Sequence, residues 1–412
     1  MDNPSYSHKR TWLSMTLSGL LSEPLTCFVA MLPFILRKEL QVTGGQIALL
    51  NMIKPVVSLF SFYWGSALTY QKEKLRSNWI TASLLARLPF LLFPFMSDPY
   101  LFITSLAIFH FFQKGSLPAH MEVLKQNAPP GIRETIFSWT AASNFFLSIV
   151  LGCFIGSWMD HHREMWKMLF FAGGFIGLLS ILIQAKMPIL LQEGASKPSG
   201  SFFKTPWKDS LTLLKRRPDF ARFQIGFMLG GTGLMMVMPA LVIYTSDDLL
   251  LTHSMVAWGR FVWMGLGFVM AIPFWRKQIS YENIFLMTSL ANLFFALGAF
   301  SWMLAFWYPV MFYCAFFLYG IAQAGSHLSW HLSGPLFAGE EGSTPFSTVN
   351  VLTVGLRGVL IPGISTLLCE FTGPFPVLFL GALFCLTGFF YLAWVRHEQQ
   401  KSLLLTRETP NT

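Results

Sequence analysis

The chain has 412 residues, of which 53% are hydrophobic, 16% aromatic and only 12% charged, and it carries a formal net charge of +9. Soluble domains carry about 25% charged residues, so this composition excludes a set of ordinary globular domains and indicates an integral membrane protein. The net charge requires no nucleic-acid partner, because its distribution along the chain accounts for it.

A bilayer-spanning helix needs about 20 predominantly apolar residues. Twelve runs meet that length in chain order: 12–35, 47–69, 78–97, 100–118, 135–158, 166–185, 220–244, 255–275, 282–300, 303–328, 346–368 and 374–395. The first run is too long for a signal peptide and lacks a small-residue cleavage site, so it is expected to remain as the first span. Lys and Arg gather in alternate connections: Lys9, Arg10, Lys72, Lys74, Arg76, Lys125 and Arg133 on one side, against Arg37, Lys38, Arg163 and Lys167 on the other. The excess of basic residues marks the cytoplasmic side. Both termini are therefore expected in the cytoplasm, in a bacterial inner membrane or its equivalent.

Ionisable residues inside a bilayer are costly, about 2.5–3.5 kcal/mol on insertion scales, and usually face a cavity or a partner. Glu23, Arg87 and Arg357 fall near mid-depth, with Lys54 and Arg260 in the outer third of their runs. One acid thus faces up to four bases, a surplus that favours an anionic solute, with outward snorkelling of Lys54 and Arg260 as the alternative. Glu23 has two readings: an ion pair with Arg87 or Lys54, or a group exposed to the cavity. Pro24 directly after Glu23, and Gly230-Gly231-Thr232-Gly233 in the seventh run, mark expected helix breaks, with a flexible rocking helix as the milder reading. The fourth run carries His110, Gln113 and Lys114, and the fifth carries Asn144. Asp160-His161-His162 follows in a short loop, where a solvated cluster is the plainer reading than a weak metal site.

Between the sixth and seventh runs, residues 187–204 are rich in Gly, Ser and Pro and predict a connector. Thr205-Pro206 then resembles an N-cap with proline at the first helical position. Trp207, Leu211 and Leu214 share one face, opposite Lys208 and Lys215, as in an interfacial amphipathic helix. In the tenth run, Gln323, His327 and His331 recur every four residues beside Trp330, forming one polar face. In the eleventh, Asn350 and Thr353 share a face with Arg357, while Gly355 and Gly358 flank the arginine and offer close helix packing as the alternative. The five cysteines show no Cys-x-x-Cys spacing and read as small buried hydrophobes.

Gln113-Lys114-Gly115-Ser116 returns as Gln323-Ala324-Gly325-Ser326 after 210 residues, and Phe137-Ser138 returns as Phe346-Ser347 after 209. Two matches at one offset, with six apolar runs on each side of a basic loop, indicate an internal duplication. The layout resembles the major facilitator superfamily from about residue 11 to 396. The loop after the second run keeps Gly65-Ser66-Ala67-Leu68 of the family's loop motif but not its Asp or second Gly. His110 takes the place of the family's arginine ahead of Gln113 and Gly115. Only Gly152 and Gly156 remain of the family's antiporter motif. The resemblance implies an all-α membrane protein, with twelve transmembrane helices as two six-helix bundles around a central cavity. The implied bounds are a terminus at 1–11, bundles at 12–186 and 220–396, the central loop at 187–219 and a tail at 397–412.

That fold implies a secondary transporter of a small organic solute working by alternating access, acting as a monomer with a coupling proton or ion as an open partner. Candidate substrate-binding or coupling residues are Glu23, Arg87, His110, Gln113, Asn144, Gln323, His327, Trp330, Asn350, Thr353 and Arg357. No Walker loop, Gly-x-Ser-x-Gly elbow or metalloprotease helix is present, so no cofactor or metal is expected. A lipid-modifying enzyme using His110, His327 or His331 as general base, and a non-transporting sensor on the same scaffold, stand as alternatives.

Overall fold

The computed structural model describes residues 4–70, 74–128, 132–162, 165–187, 205–278, 280, 282–338 and 344–408. Most of the expected connector at 187–204 lies outside them, as do Lys72 and Arg163. Among the described residues there is no strand. The helices are α1 (Pro4–Leu40), α2 (Gly44–Tyr70), α3 (Leu75–Arg87), α4 (Pro99–Asn127), α5 (Ile132–His161), α6 (Trp166–Ala185) and α7 (Thr205–Arg216). They continue as α8 (Pro218–Ile243), α9 (His253–Ala257), α10 (Met264–Lys277), α11 (Ile284–Leu304), α12 (Val310–Ala338), α13 (Thr344–Thr372) and α14 (Pro374–Glu408). Helices prevail because hydrocarbon supplies no hydrogen bonds, and a helix satisfies its backbone within one segment.

Among the described residues, nine helical segments are long and apolar enough to cross a membrane. Helices α2, α4 and α12 are outside that set. Two of these, α4 and α12, carry the polar faces read from the sequence, with His110, Gln113 and Lys114 on one and Gln323, His327 and His331 on the other.

The chain forms two compact units, one of Met1–Gly200 with Leu250–Val262, the other of Ser201–Leu249 with Trp263–Thr412. In unit 1, α1 packs against α5 and α6, and α2 against α4. An aromatic cluster fills its core: Phe93 stacks on Phe170 at 4.8 Å and meets Phe102 edge-on at 4.9 Å. In unit 2, α8 packs on α14 and α13, and α11 on α12 and α14. Phe220, Phe223 and Phe337 are fully buried there.

Several boundaries differ from expectation for local reasons. Residues 88–95 continue α3 as a 3-10 helix, where Pro89 and Pro94 remove backbone donors. The run expected at 303–328 begins at Val310, since Tyr308-Pro309 closes the preceding turn and Trp302 belongs to α11. The tail expected after residue 396 instead prolongs α14 to Glu408. Within α7, Leu213 is buried while Trp207 and Leu211 are exposed.

The expected helix breaks do not occur. Helix α1 runs unbroken through Pro24 and Pro33, and α8 through Gly230–Gly233. The glycines of α8 are a packing surface instead. Gly226 faces the Leu392 side chain, Gly230 faces Asn292, Gly231 faces the Arg357 guanidinium and Gly233 faces the Gly381 carbonyl, each too closely for a Cβ. Small residues let helix backbones approach in a membrane, where apolar burial gives no driving force between helices. The cysteines also depart in part from the expected burial: Cys314 is exposed and Cys153 half-buried, while Cys27, Cys369 and Cys385 are buried. Lipid tails accommodate a thiol as readily as a protein core does.

Gly233→Ala is expected to destabilise the fold by about 1–3 kcal/mol, the usual cost of overpacking, because the obstacle is the backbone of α14 and has no rotamer to yield. Gly45→Ala, whose Cβ would meet only Thr43 Oγ1 at 3.9 Å, is the matched control. Thermal melting of the two purified variants gives the comparison.

Candidate functional site

The polar groups of unit 1 form separate clusters drawn from several segments. Helix α1 supplies Glu23 and, one turn later, Cys27; α5 supplies Ser148, whose hydroxyl donates to Glu23 Oε1. Cys27 Sγ lies 3.8 Å from the same oxygen and 3.4 Å from Ser148 Oγ. Glu23 is half-buried and is thus held by a hydroxyl and a thiol. Neither Arg87 nor Lys54 forms an ion pair with it among the described residues.

Arg87 has a separate position. At the end of α3 it donates to Ser83 O at 2.6 Å and to Ser22 Oγ of α1 at 2.8 Å. Its aliphatic stem lies over Gly177 of α6. A guanidinium spent on a carbonyl and a hydroxyl ties three helices together.

Lys54 of α2 lies within electrostatic reach of Lys114 of α4 and of Arg260. His110 is within reach of both lysines and hydrogen-bonds the Gln113 side chain, while its Nδ1 is buried without a partner. Arg260 also reaches Cys27, beside Glu23. Lys54 and Gln113 are exposed in side chain, and His110, Lys114 and Arg260 half-buried. Arg260 sits in a single π-helical turn, Trp258–Trp263, between α9 and α10; such turns recur at functional sites. Three cations gathered from three segments raise the potential of the space they share. Asn144 stands apart, against Gly19 of α1, with its Oδ1 buried and unpartnered.

The candidates of unit 2 form a different kind of site. The Gln224 amide of α8 donates to Asn350 Oδ1 of α13. Asn350 Nδ2 donates to Ser333 Oγ of α12 at 2.8 Å and to Trp330 O at 3.3 Å. Thr353 donates to Val349 O at 2.8 Å and lies 3.4 Å from Gln224 Oε1. Arg357 is 6% exposed, and its Nη1 donates to Phe227 O at 3.0 Å and Met228 O at 3.3 Å, with the guanidinium 5.6 Å from the Phe227 ring. This is a buried network that fastens α13 to α8 and α12.

On α12, His327 and His331 are exposed and their rings approach to 4.4 Å. Gln323 is half-buried, and Trp330 meets Phe227 edge-on at 6.5 Å. Gly325 of the repeated motif packs on the Trp275 indole, which would meet a Cβ at 2.9 Å, and Trp275 Nε1 donates to Ile321 O. Of the sequence candidates, the structure therefore joins His110 with Gln113, and Asn350 with Thr353 and the Trp330 carbonyl. Lys54, Lys114 and Arg260 were visible as charges but not as a group, and Ser148 and Cys27 carried no signal beyond being small polar residues. Among the described residues no group of His, Cys, Asp and Glu is arranged to hold a metal.

The family model of the Major Facilitator Superfamily matches residues 15–356. Among solved structures, the nucleoside transporter NupG aligns with a TM-score of 0.70 at 14% identity, over 93% of this chain and 98% of that one. A POT family transporter in complex with 5-aminolevulinic acid gives 0.77 at 11% identity, over 94% and 96%. The inward-open xylose transporter XylE from E. coli gives 0.65 at 15% identity, over 92% and 94%. Comparison with curated proteins gives no match.

Arg357→Lys is expected to lower folded yield and melting temperature, because a lysine ammonium does not reproduce both the Nη1 bonds to the Phe227 and Met228 carbonyls and the planar contact of the guanidinium with the Phe227 ring. Hydrogen bonds to a charged group contribute about 1.5–3 kcal/mol. Size-exclusion yield and thermal melting of the detergent-purified variant measure the loss.

Proposed function

Because the chain belongs to the major facilitator superfamily, a family of transporters rather than enzymes, we propose that it carries a small anionic organic solute across the membrane by alternating access. The observation behind the anionic reading is the grouping of Lys54, Lys114 and Arg260 around one space, with His110 alongside. Basic groups of this kind raise the local potential and favour an anion. Arg260 adds a planar fork of donors that suits a carboxylate or phosphate. The sequence offers no Walker loop, so the driving force is a gradient.

In this reading the chain crosses the bilayer twelve times, with α2, α4 and α12 completing the nine long apolar segments, and α4 and α12 lining the pathway by their polar faces. The two halves are parallel six-helix bundles, and both termini lie in the cytoplasm, as the basic connections indicate. Glu23 is the proton-coupling group: its carboxylate rests on neutral donors, so its charge state is free to change without breaking an ion pair. The protein works as a monomer.

Reconstituted in liposomes without ATP, the protein is expected to accumulate members of a panel of organophosphates, nucleotides and carboxylates in preference to sugars. Lys54→Gln and Arg260→Gln each reduce anion uptake per folded molecule by about tenfold to a hundredfold, the equivalent of one lost charge-assisted contact. Arg357→Lys changes yield more than uptake per folded molecule. Glu23→Gln retains binding and loses the pH dependence of uptake. Equal losses for neutral and anionic solutes would refute the anionic reading, and an absence of flux for every class would favour the sensor.

A further inference from the structure

Segment Leu250–Val262 belongs to unit 1, although the same helical stretch continues into α10 of unit 2. What fastens it is local and specific. His253 is completely buried. Its backbone N–H donates to Asp160 Oδ1 at 2.8 Å, its Nδ1 lies 3.1 Å from that oxygen, and the Ser254 N–H donates to Asp160 Oδ2 at 3.0 Å. Asp160, at the end of α5, thus caps the start of α9, where a carboxylate is favoured. On the other side of the ring, Nε2 lies 3.1 Å from Glu39 Oε1 at the end of α1. Phe34 of α1 covers the ring edge-on at 5.6 Å. The other charged neighbours are Lys38, which donates to Leu251 O and lies over Phe34, Arg37, which donates to Val42 O, and His161, whose ring bonds to Ser157 O.

The proton count of this arrangement is constrained. A neutral imidazole has one N–H and one lone pair. With Nδ1–H directed at Asp160, a neutral ring would present its Nε2 lone pair to the Glu39 carboxylate. That contact is repulsive unless the His253–Glu39 pair holds one further proton, on either partner. Across Nε2 the attraction to the Glu39 carboxylate is one of charge, and removing the proton removes it. Meanwhile Gly156 and Gly152 of α5 give the segment its seat: a Cβ on Gly156 would stand 2.5 Å from Ser254 Cα, and one on Gly152 2.5 Å from Phe261 Cβ.

We infer that Asp160, His253 and Glu39 form a proton-held latch that docks residues 250–262 on α1 and α5, closed while the His253–Glu39 pair keeps its proton and released when that proton leaves. The sign is fixed by the count: acid favours the docked segment, and rising pH frees it. With both termini in the cytoplasm, the latch lies at the outer end of the helices, where external pH would set its proton. This placement rests on the proposed topology, whereas the latch itself does not depend on the solute or on flux.

The His253 and Ser254 amides report directly, since both are bonded to Asp160. Hydrogen exchange of the full-length protein in nanodiscs, corrected for the intrinsic rate, is expected to be about tenfold faster for peptides covering 250–256 at pH 8.5 than at pH 5.5, a range that brackets ordinary histidine titration. Peptides from α11 serve as the internal check of folding. Glu39→Gln, whose amide can donate to a neutral Nε2, keeps the segment protected at both pH values. Gly156→Val leaves it unprotected at both, with α11 unchanged. Wild-type protection that does not vary with pH would overturn the latch, as would a Glu39→Gln variant that follows wild type.

Discussion

Hydrocarbon cannot hydrogen-bond, and the rest of this structure follows from how the chain meets that constraint. The backbone does so by helix formation alone, even through Pro24 and Pro33 in α1 and through four successive small residues in α8. The side chains do so by finding donors and acceptors on neighbouring helices. Since apolar burial does not drive helix association in lipid, close backbone approach at Gly226, Gly230, Gly231 and Gly233, together with these polar contacts, accounts for the assembly of unit 2.

The two units use their internal charge differently. In unit 2 the buried Arg357 lies against the Phe227 and Met228 carbonyls, and the amides of Gln224 and Asn350 bond each other and Ser333. A guanidinium so placed links α13 to α8 and offers little to a solute. In unit 1, Arg87 does similar work at the junction of α1, α3 and α6. Lys54 is placed otherwise, within electrostatic reach of Lys114 and of Arg260.

Much of the fold was legible in the sequence because hydropathy is a local property. The apolar runs, the amphipathic helix beginning at Thr205 and the polar faces of α4 and α12 all depend on residues a few positions apart. Interactions between distant segments were not legible. Glu23 has its partner 125 residues away in Ser148, and a serine gives no sign of such a role. The glycines of α8 were visible, but a run of glycines is compatible both with a broken helix and with a close-packed one, and only the identity of the neighbouring side chains decides. The helix start expected near Trp302 was misplaced because an indole is equally at home inside α11.

The triplet Asp160-His161-His162 shows the limit most directly. As sequence it suggests a loop with a faint metal signature, and the two histidines draw attention to themselves. In the structure His162 stacks on Trp158 and both histidines bond within their own helix end, at Ser157 O and Trp158 O, whereas the aspartate reaches the His253 and Ser254 amides. Its partner, His253, is isolated in the sequence and 93 residues away. The same contact also explains Gly152 and Gly156. As remnants of an antiporter motif they suggest a degraded signal, whereas as a seat for His253, Ser254 and Phe261 they are required by shape. Motif loss and close packing are thus compatible: Gly152 and Gly156 sit where the backbone must admit a neighbouring segment.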